Sequence, residues 1–405
     1  MRKSVKLLLS AAIAMTAFLT VGKVDSKAAV TNVKQTDGGK NNIVLSWNAE
    51  LGENISYAVQ LSNDGKNWAT VDTTSHADSS ISNLTAGRTY YARVGAFNCN
   101  SWDINSNSVP ISGWSSAAEM VTAPDTSKIK AVQCGATTNS ISVKVSGVSG
   151  ANNYFIQYND SVIGKSKKST IKTSTKLSVA SSYYIKVYAA RRSSTGFNAY
   201  SSYGYDSLYG KTLTNAIGAK SFGVTSALDN INVYYFGVSV SGSYDGTQMQ
   251  FATPNGKVKK NIYGGSSYRI ENFINGTFYK YRVRTYVECG SKKVFSKWSS
   301  YHYIGVSKET KGTSYKNYRH KYQTIRVNWS KLSGASSFDI YISNRENSGY
   351  KKVKTISAKT RKITITKYGK SRLKVSTSYY VKIVPKAKIG KKTVKSEITY
   401  VLHSY

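Results

Sequence analysis

One thirteen-residue pattern returns four times along this chain, and no other feature constrains the fold as tightly. It reads LTAGRTYYARVGA from Leu84, LSVASSYYIKVYA from Leu177, FINGTFYKYRVRT from Phe273 and LKVSTSYYVKIVP from Leu373, with starts 93, 96 and 100 residues apart. In each copy an apolar residue is followed six positions later by Tyr90, Tyr183, Tyr279 or Tyr379. Tyrosine is 32 of 405 residues, so chance recurrence in the other three copies is on the order of one in two thousand. The pattern is a repeat.

Two positions after each of these tyrosines an alternation begins: Ala92 and Val94, Ile185 and Val187, Tyr281 and Val283, Val381 and Ile383. Between the members of each pair stands a cation, Arg93, Lys186, Arg282 or Lys382. Period two with opposite polarity on the two faces describes a strand that is buried on one side. The tyrosine opening it is expected to place its ring in the core and its hydroxyl on backbone just upstream.

Further period-two runs precede that strand. They are Ile43-Leu45-Trp47 then Tyr57-Val59-Leu61, Ile141-Val143-Val145 then Tyr154-Ile156-Tyr158, Ile231-Val233-Tyr235 then Met249-Phe251, and Ile325-Val327-Trp329 then Phe338-Ile340-Ile342. Downstream, Trp114-Ser115-Ser116 and Trp298-Ser299-Ser300 are expected to open a last strand. Turn signals such as Asn63-Asp64-Gly65 separate the runs, prolines number only four, and no long 3.6-period segment occurs. These features predict an all-β protein of tandem sandwiches.

The second strand ending in Trp47 or Trp329, the L-x-x-G-x-x-Y-x-x-x-V run around Tyr90 and the W-S-S motif resemble the fibronectin type III repeat. That resemblance covers residues 29–123, 124–214, 215–308 and 309–405, implying four immunoglobulin-like sandwiches after a leader at 1–28. Copy two has Val145 where the tryptophan belongs, and copy three also lacks it. The run VNWSKLSGASSFDIYIS in copy four resembles repeats of secreted and wall-associated proteins of Gram-positive bacteria.

The leader argument is independent. Arg2, Lys3 and Lys6 precede an apolar run from Leu7 to Val21, and Ser26-Lys27-Ala28 supplies small residues at a cleavage site. At 15 residues with Ser10, Thr16 and Thr20 inside, the run falls short of a spanning helix. A secreted chain with no membrane span in its mature form is expected. Three cysteines, Cys99, Cys134 and Cys289, cannot build a disulfide framework, and one thiol at least stays free. Cys99 and Cys134 could pair across a domain boundary; small half-buried residues that never meet are the plainer reading.

Chemistry is thin. His76, His302, His320 and His403 are scattered without metal-ligand spacing, no nucleophile elbow or phosphate loop appears, and the only paired carboxylates, Glu50 and Glu53, sit in a short connection. No enzyme, cofactor or metal is expected, which leaves binding, spacing or scaffolding.

Two regions suggest binding. The connections after the first two tyrosine strands, NCNSWDINSNSVPISG and RRSSTGFNAYSSYGYDSLYG, are long and carry Trp102, Tyr200, Tyr203, Tyr205 and Tyr209, a paratope-like mix of rigid aromatics and adaptable polar groups. The plain alternative is that these rings cover the end of a sandwich. Charge marks the second region. Residues 29–123 hold 5 basic and 8 acidic side chains, whereas 309–405 hold 23 basic and 4 acidic. Lys351, Lys352, Lys354, Arg361, Lys362, Lys382, Lys391 and Lys392 are expected to present a cationic surface to an anionic wall polymer or acidic polysaccharide. Without a recognition motif there is no case for a specific nucleic acid. The tyrosine-rich loops would meet a glycan or a surface protein. The alternatives are a structural spacer and an accessory subunit that targets a separate enzyme to polysaccharide.

Overall fold

The computed structural model describes residues 30–228 and 233–404; the leader expected over 1–28 lies outside them. Apart from two single-turn 3-10 helices, Ser101–Asp103 and Ala219–Ser221, every described element is a strand. In the first repeat Ile43–Ser46 lies between Lys34–Gly38 and Asp78–Ile81. The facing sheet runs Ala69–Thr74, Ile55–Ser62, Thr89–Asn98, Ala118–Val121. All these ladders are antiparallel.

The same plan recurs three times, with Ser182–Arg192, Thr277–Cys289 and Tyr379–Ile389 each inside the larger sheet. In the second, third and fourth copies the tyrosine strand also carries an added hairpin partner, Asn198–Ala199, Lys292–Phe295 or Lys392–Lys395.

Each set of sheets closes over its own apolar interior. The first is filled by Ile43, Leu45, Trp47, Val59 and Val94, the second by Ile141, Val143, Ile156 and Val187. The third holds Phe236, Phe251, Tyr281 and Val283, the fourth Val327, Trp329, Phe338 and Ile383. These are the inward positions of the period-two pattern, and each such side chain contributes about 1.5–3 kcal/mol on burial. Trp47 packs edge-on to Tyr57 and Trp329 edge-on to Phe338, both with centroids at 5.3 Å. A single joint thus recurs at the two ends of the chain.

All four repeat tyrosines are buried. Three make the expected corner: the hydroxyls of Tyr90, Tyr183 and Tyr379 accept from the backbone N–H of Thr85, Ser178 and Lys374 at 2.9, 2.7 and 3.1 Å. Tyr279 departs from this. Its ring stacks on Phe273 at 5.0 Å, and among the described residues its hydroxyl has no such bond.

The third repeat also corrects an expected register. Val233 is buried as expected, but Tyr235 is half-exposed and Tyr234, Phe236 and Val238 are buried in its place. Val233-Tyr234-Tyr235-Phe236 is apolar at every position, so it carries no period-two signal, and the bulge between Val224 and Ser226 in the neighbouring strand sets the parity. Ile231 lies outside the described residues.

The chain divides into two compact units, one extending to Pro124 and including Arg191–Tyr200, the other formed by Asp125–Ala190 and Ser201 onward. Within the first unit, Arg191 donates to the Thr89 hydroxyl through Nε at 3.0 Å and Nη2 at 2.8 Å. Ser194 N–H donates to Glu119 at 3.0 Å, and Phe197 and Ala199 pack on Val121 and Ala123.

Within the second unit the repeats meet through direct contacts, of which the Thr214–Thr285 bond is buried. The Ser243 N–H donates to the Ala180 carbonyl at 2.6 Å, the hydroxyls of Thr214 and Thr285 bond at 2.7 Å, and Lys211 pairs with Asp245. Further on, Glu397 accepts from the Tyr281 hydroxyl and pairs with His302, and its N–H donates to the Tyr303 carbonyl at 2.9 Å. Burial, then the charge and hydrogen bond of Glu397, push the Tyr281 phenol far above the tyrosine range.

Candidate binding surfaces

The outward face of each larger sheet is set by the cation of the repeat pattern, and the copies use it differently. In the first repeat the Arg93 guanidinium lies 4.4 Å from the Trp68 ring and 4.9 Å from Trp114, while its Nε donates to the Gln60 side-chain carbonyl at 2.9 Å. The W-S-S motif explains the pairing. Ser115 bonds the tyrosine strand twice, its N–H donating to the Val94 carbonyl at 2.9 Å and its hydroxyl accepting from the Val94 N–H at 3.0 Å, which holds Trp114 over the neighbouring arginine.

The third repeat extends the same device into a ladder. Ser299 bonds Val283 as Ser115 bonds Val94, through N–H and hydroxyl at 2.9 Å each. Arg282 lies 4.3 Å from Trp298 and 5.0 Å from Tyr301, and Arg284 lies 3.7 Å from Phe295 and 4.1 Å from Trp298. Gln250 and Gln248 accept from the two Nε atoms at 3.0 and 2.7 Å. With two rings against each guanidinium, these arginines bind their own sheet. The signal for this was the W-S-S motif itself; Trp68, Phe295 and Tyr301 were not singled out from the sequence.

In the second repeat Tyr205 is not a loop residue as expected. It opens the strand Tyr205–Lys211, paired opposite Tyr188, with its ring 5.2 Å from that of Tyr188 and 5.2 Å from the Lys186 ammonium. Tyr209 is in the same strand and exposed, its ring 5.2 Å from that of Tyr184. Paratope composition and edge-strand composition are alike here, and the period-two spacing of Tyr205, Ser207 and Tyr209 was the sign missed. Tyr203 is 92% exposed and Tyr200 38%. Trp102 sits in the Ser101–Asp103 turn at 80% exposure. In all, Trp102 and Tyr203 are exposed, while Tyr205 is part of the sheet.

The basic side chains of the fourth repeat do not form one pocket. Lys352 and Lys382 flank Tyr341 on the outer face, whereas Lys351 and Lys354 lie opposite inward-facing Ile342 and Ile340. Arg361 and Lys362 are exposed and belong to the other sheet, and Lys391 and Lys392 occupy a hairpin tip. The rung of Ile389 and Lys392 is seven residues along the strand from Lys382, about 23 Å at ~3.3 Å per residue. The Lys382 ammonium lies 3.9 Å from the Tyr350 ring and that of Lys351 4.7 Å from Tyr368.

Asp339, 2% exposed, holds Lys386 at 2.9 Å and Lys352 at 3.1 Å, with the Thr355 hydroxyl on the same oxygen. Burial raises its pKa, but the hydrogen bonds from Lys386, Thr355 and Lys352 outweigh it and hold the carboxyl at about 2. Glu309 pairs with Lys311, and Glu397 with His302. Three of the four carboxylates in this repeat are thus engaged, Glu397 by the third repeat, and the surrounding cations form a diffuse collar.

Among the described residues no group of three His, Cys, Asp or Glu could hold a metal, and no helix is long and apolar enough to cross a membrane. Glu50 is half-buried with its N–H on the Tyr57 hydroxyl at 2.8 Å, and Glu53 is exposed.

Residues 34–106 match the family described as PBP1-like, fibronectin3-like domain. No curated protein matches the chain. Among solved structures it is similar to the chicken CNTN1 FN1-FN3 domains, with 11% identity over 93% of this chain and 98% of that one, at a TM-score of 0.18. A two-domain fibronectin type-III segment of chicken tenascin has 16% identity over 45% and 96%, at 0.22. The central fibronectin-III array of RIM-binding protein has 13% over 68% and 97%, at 0.18. With superpositions this weak, the strand order and the matched family carry the assignment of fold.

Proposed function

We propose that this chain, a tandem array of fibronectin type III-like β-sandwiches, is a secreted binding scaffold held on an anionic surface by its basic C-terminal repeat. Its partner there is a polyanion, a wall polymer or an acidic polysaccharide. The observation that carries the reading is the contrast between 23 cations and 4 carboxylates in residues 309–405, three of the latter already engaged. Exposed Trp102 and Tyr203 support a second contact, to a glycan or surface protein, from the first two repeats. The joints inside the second unit suit a scaffold that sets the spacing between Tyr203 and the basic repeat.

Washing cells that produce the full chain in rising salt tests the retention. Release as salt increases is expected, because exposed charge pairs are screened beyond about 8 Å at physiological ionic strength. Retention through high salt overturns it. A glycan array with Trp102→Ala and Tyr203→Ala tests the loops, and an array on which neither substitution lowers the signal removes them from the reading.

A further inference from the structure

We propose that Cys134 and Cys289 are a disulfide-forming pair that locks the second repeat to the third. Both lie in the second compact unit, and both are free thiols in the structure. Cys134 is in the strand Lys130–Ala136, which packs against the end of Thr277–Cys289 and against Lys292–Phe295.

Its neighbours on either side fix the location. Val132 lies beside Gly290, where a Cβ would stand 3.7 Å from the valine methyl, and Ala136 packs on the buried cluster of Leu213, Val287 and Cys289. Cys134 therefore stands in its strand between a residue beside Gly290 and a residue packed on the cluster that contains Cys289. It is the extra residue of a bulge, since Gln133 pairs with Val143 and Gly135 with the adjacent Ser142. A bulged residue is released from the ladder, which leaves its side chain room to reorient toward the facing repeat. After burial, the charge of Cys134 is among the causes that raise the Cys289 thiol.

Exposure decides the order of events. Cys134 is exposed and Cys289 buried, so Cys134 reacts first. Its thiolate attacks one sulfur of a small-molecule disulfide, breaking that S–S bond, forming a mixed disulfide and releasing one small thiol. The Cys289 thiolate then attacks the Cys134 sulfur and releases the second thiol. Two cysteine protons end on the two released thiols; the cysteines are oxidised and the small disulfide is reduced. Burial pushes both thiols up, Cys289 to about 11, so the closing step is slow at neutral pH and quickens as pH rises. Cys99 is left single, consistent with an odd count.

The test is oxidation of the full folded chain with excess oxidised glutathione at about pH 8.5, followed by alkylation, digestion with trypsin and mass spectrometry without reduction. The expected result is an intact mass lower by about 2 Da and a crosslink between the peptides 131–144 and 285–292, with Cys99 alkylated or carrying glutathione. Cys134→Ser is expected to abolish the crosslink and leave Cys289 alkylatable after unfolding. Glutathione stably held on Cys134 with Cys289 still free would overturn the pairing, and so would Cys99 as the partner of either residue. The inference stands apart from retention on a polyanion: a chain that crosslinks but elutes from cells without regard to salt keeps this result and loses the other.

Discussion

The third and fourth repeats carry cations on the same outward face of the same strand and use them in opposite ways. In the third, Arg282 and Arg284 are threaded between Tyr301, Trp298 and Phe295, with glutamines fixing the guanidinium edges. In the fourth, Lys352 and Lys386 share one buried carboxylate, Lys382 and Lys351 each lie over a tyrosine ring, and Lys354, Lys362, Lys391 and Lys392 are exposed. The residue type matters: a planar guanidinium stacks on rings, whereas a compact ammonium stays hydrated. Charge count alone therefore misleads, because a cation bound by its own sheet is unavailable to a ligand.

The largest effect should come from breaking the ladder. Trp298→Ala removes the ring between both arginines and is expected to lower stability by about 2–3 kcal/mol, read by denaturant unfolding. A loss below about 0.5 kcal/mol would make the ladder ornamental.

Next is Asp339→Asn. It strands Lys352 and Lys386 on a neutral amide, with an expected cost of about 2 kcal/mol. The pH dependence gives its sign. The carboxyl sits at about 2 in the fold against about 3.9 unfolded. Its contribution is complete above about pH 4 and fades as pH falls through about 2. An acid titration of stability should show that decline in the parent and lose this component in the variant.

The tyrosine corners give a smaller and sharper comparison. Tyr379→Phe deletes an acceptor for the Lys374 N–H and is expected to cost about 1 kcal/mol, whereas Tyr279→Phe removes no corresponding bond and should cost near zero. Equal losses would mean that the hydroxyl plays no part in the corner. The smallest effect belongs to Lys382→Gln, within about 0.5 kcal/mol in thermal melts.

These contrasts also show where sequence was informative. Tyr90, Tyr183 and Tyr379, Trp47 and Trp329, and the cation three residues past each repeat tyrosine were legible because period two and chain spacing are local. The inward face of the third repeat was not, since four successive apolar residues from Val233 to Phe236 erase alternation. Tyr205 was hidden by composition, an edge strand and a binding loop being equally rich in Tyr, Ser and Gly. Contacts such as Arg191 on Thr89, or Cys134 beside Gly290 and Cys289, depend on how distant segments meet, and no spacing in the chain encodes that.

The central claim is that the free cations of the fourth repeat bind a polyanion while the arginines of the third do not. Affinity of the full chain for a polyphosphate, followed across salt concentration, tests it most directly, comparing the parent with Lys351→Gln/Lys354→Gln/Lys362→Gln/Lys391→Gln and with Arg282→Gln/Arg284→Gln. A steep fall of log affinity with log salt is expected, shallower by about one for each lost contact in the fourth-repeat variant and unchanged in the third-repeat one. A salt-independent affinity, or a slope that shifts only with Arg282 and Arg284, would contradict it.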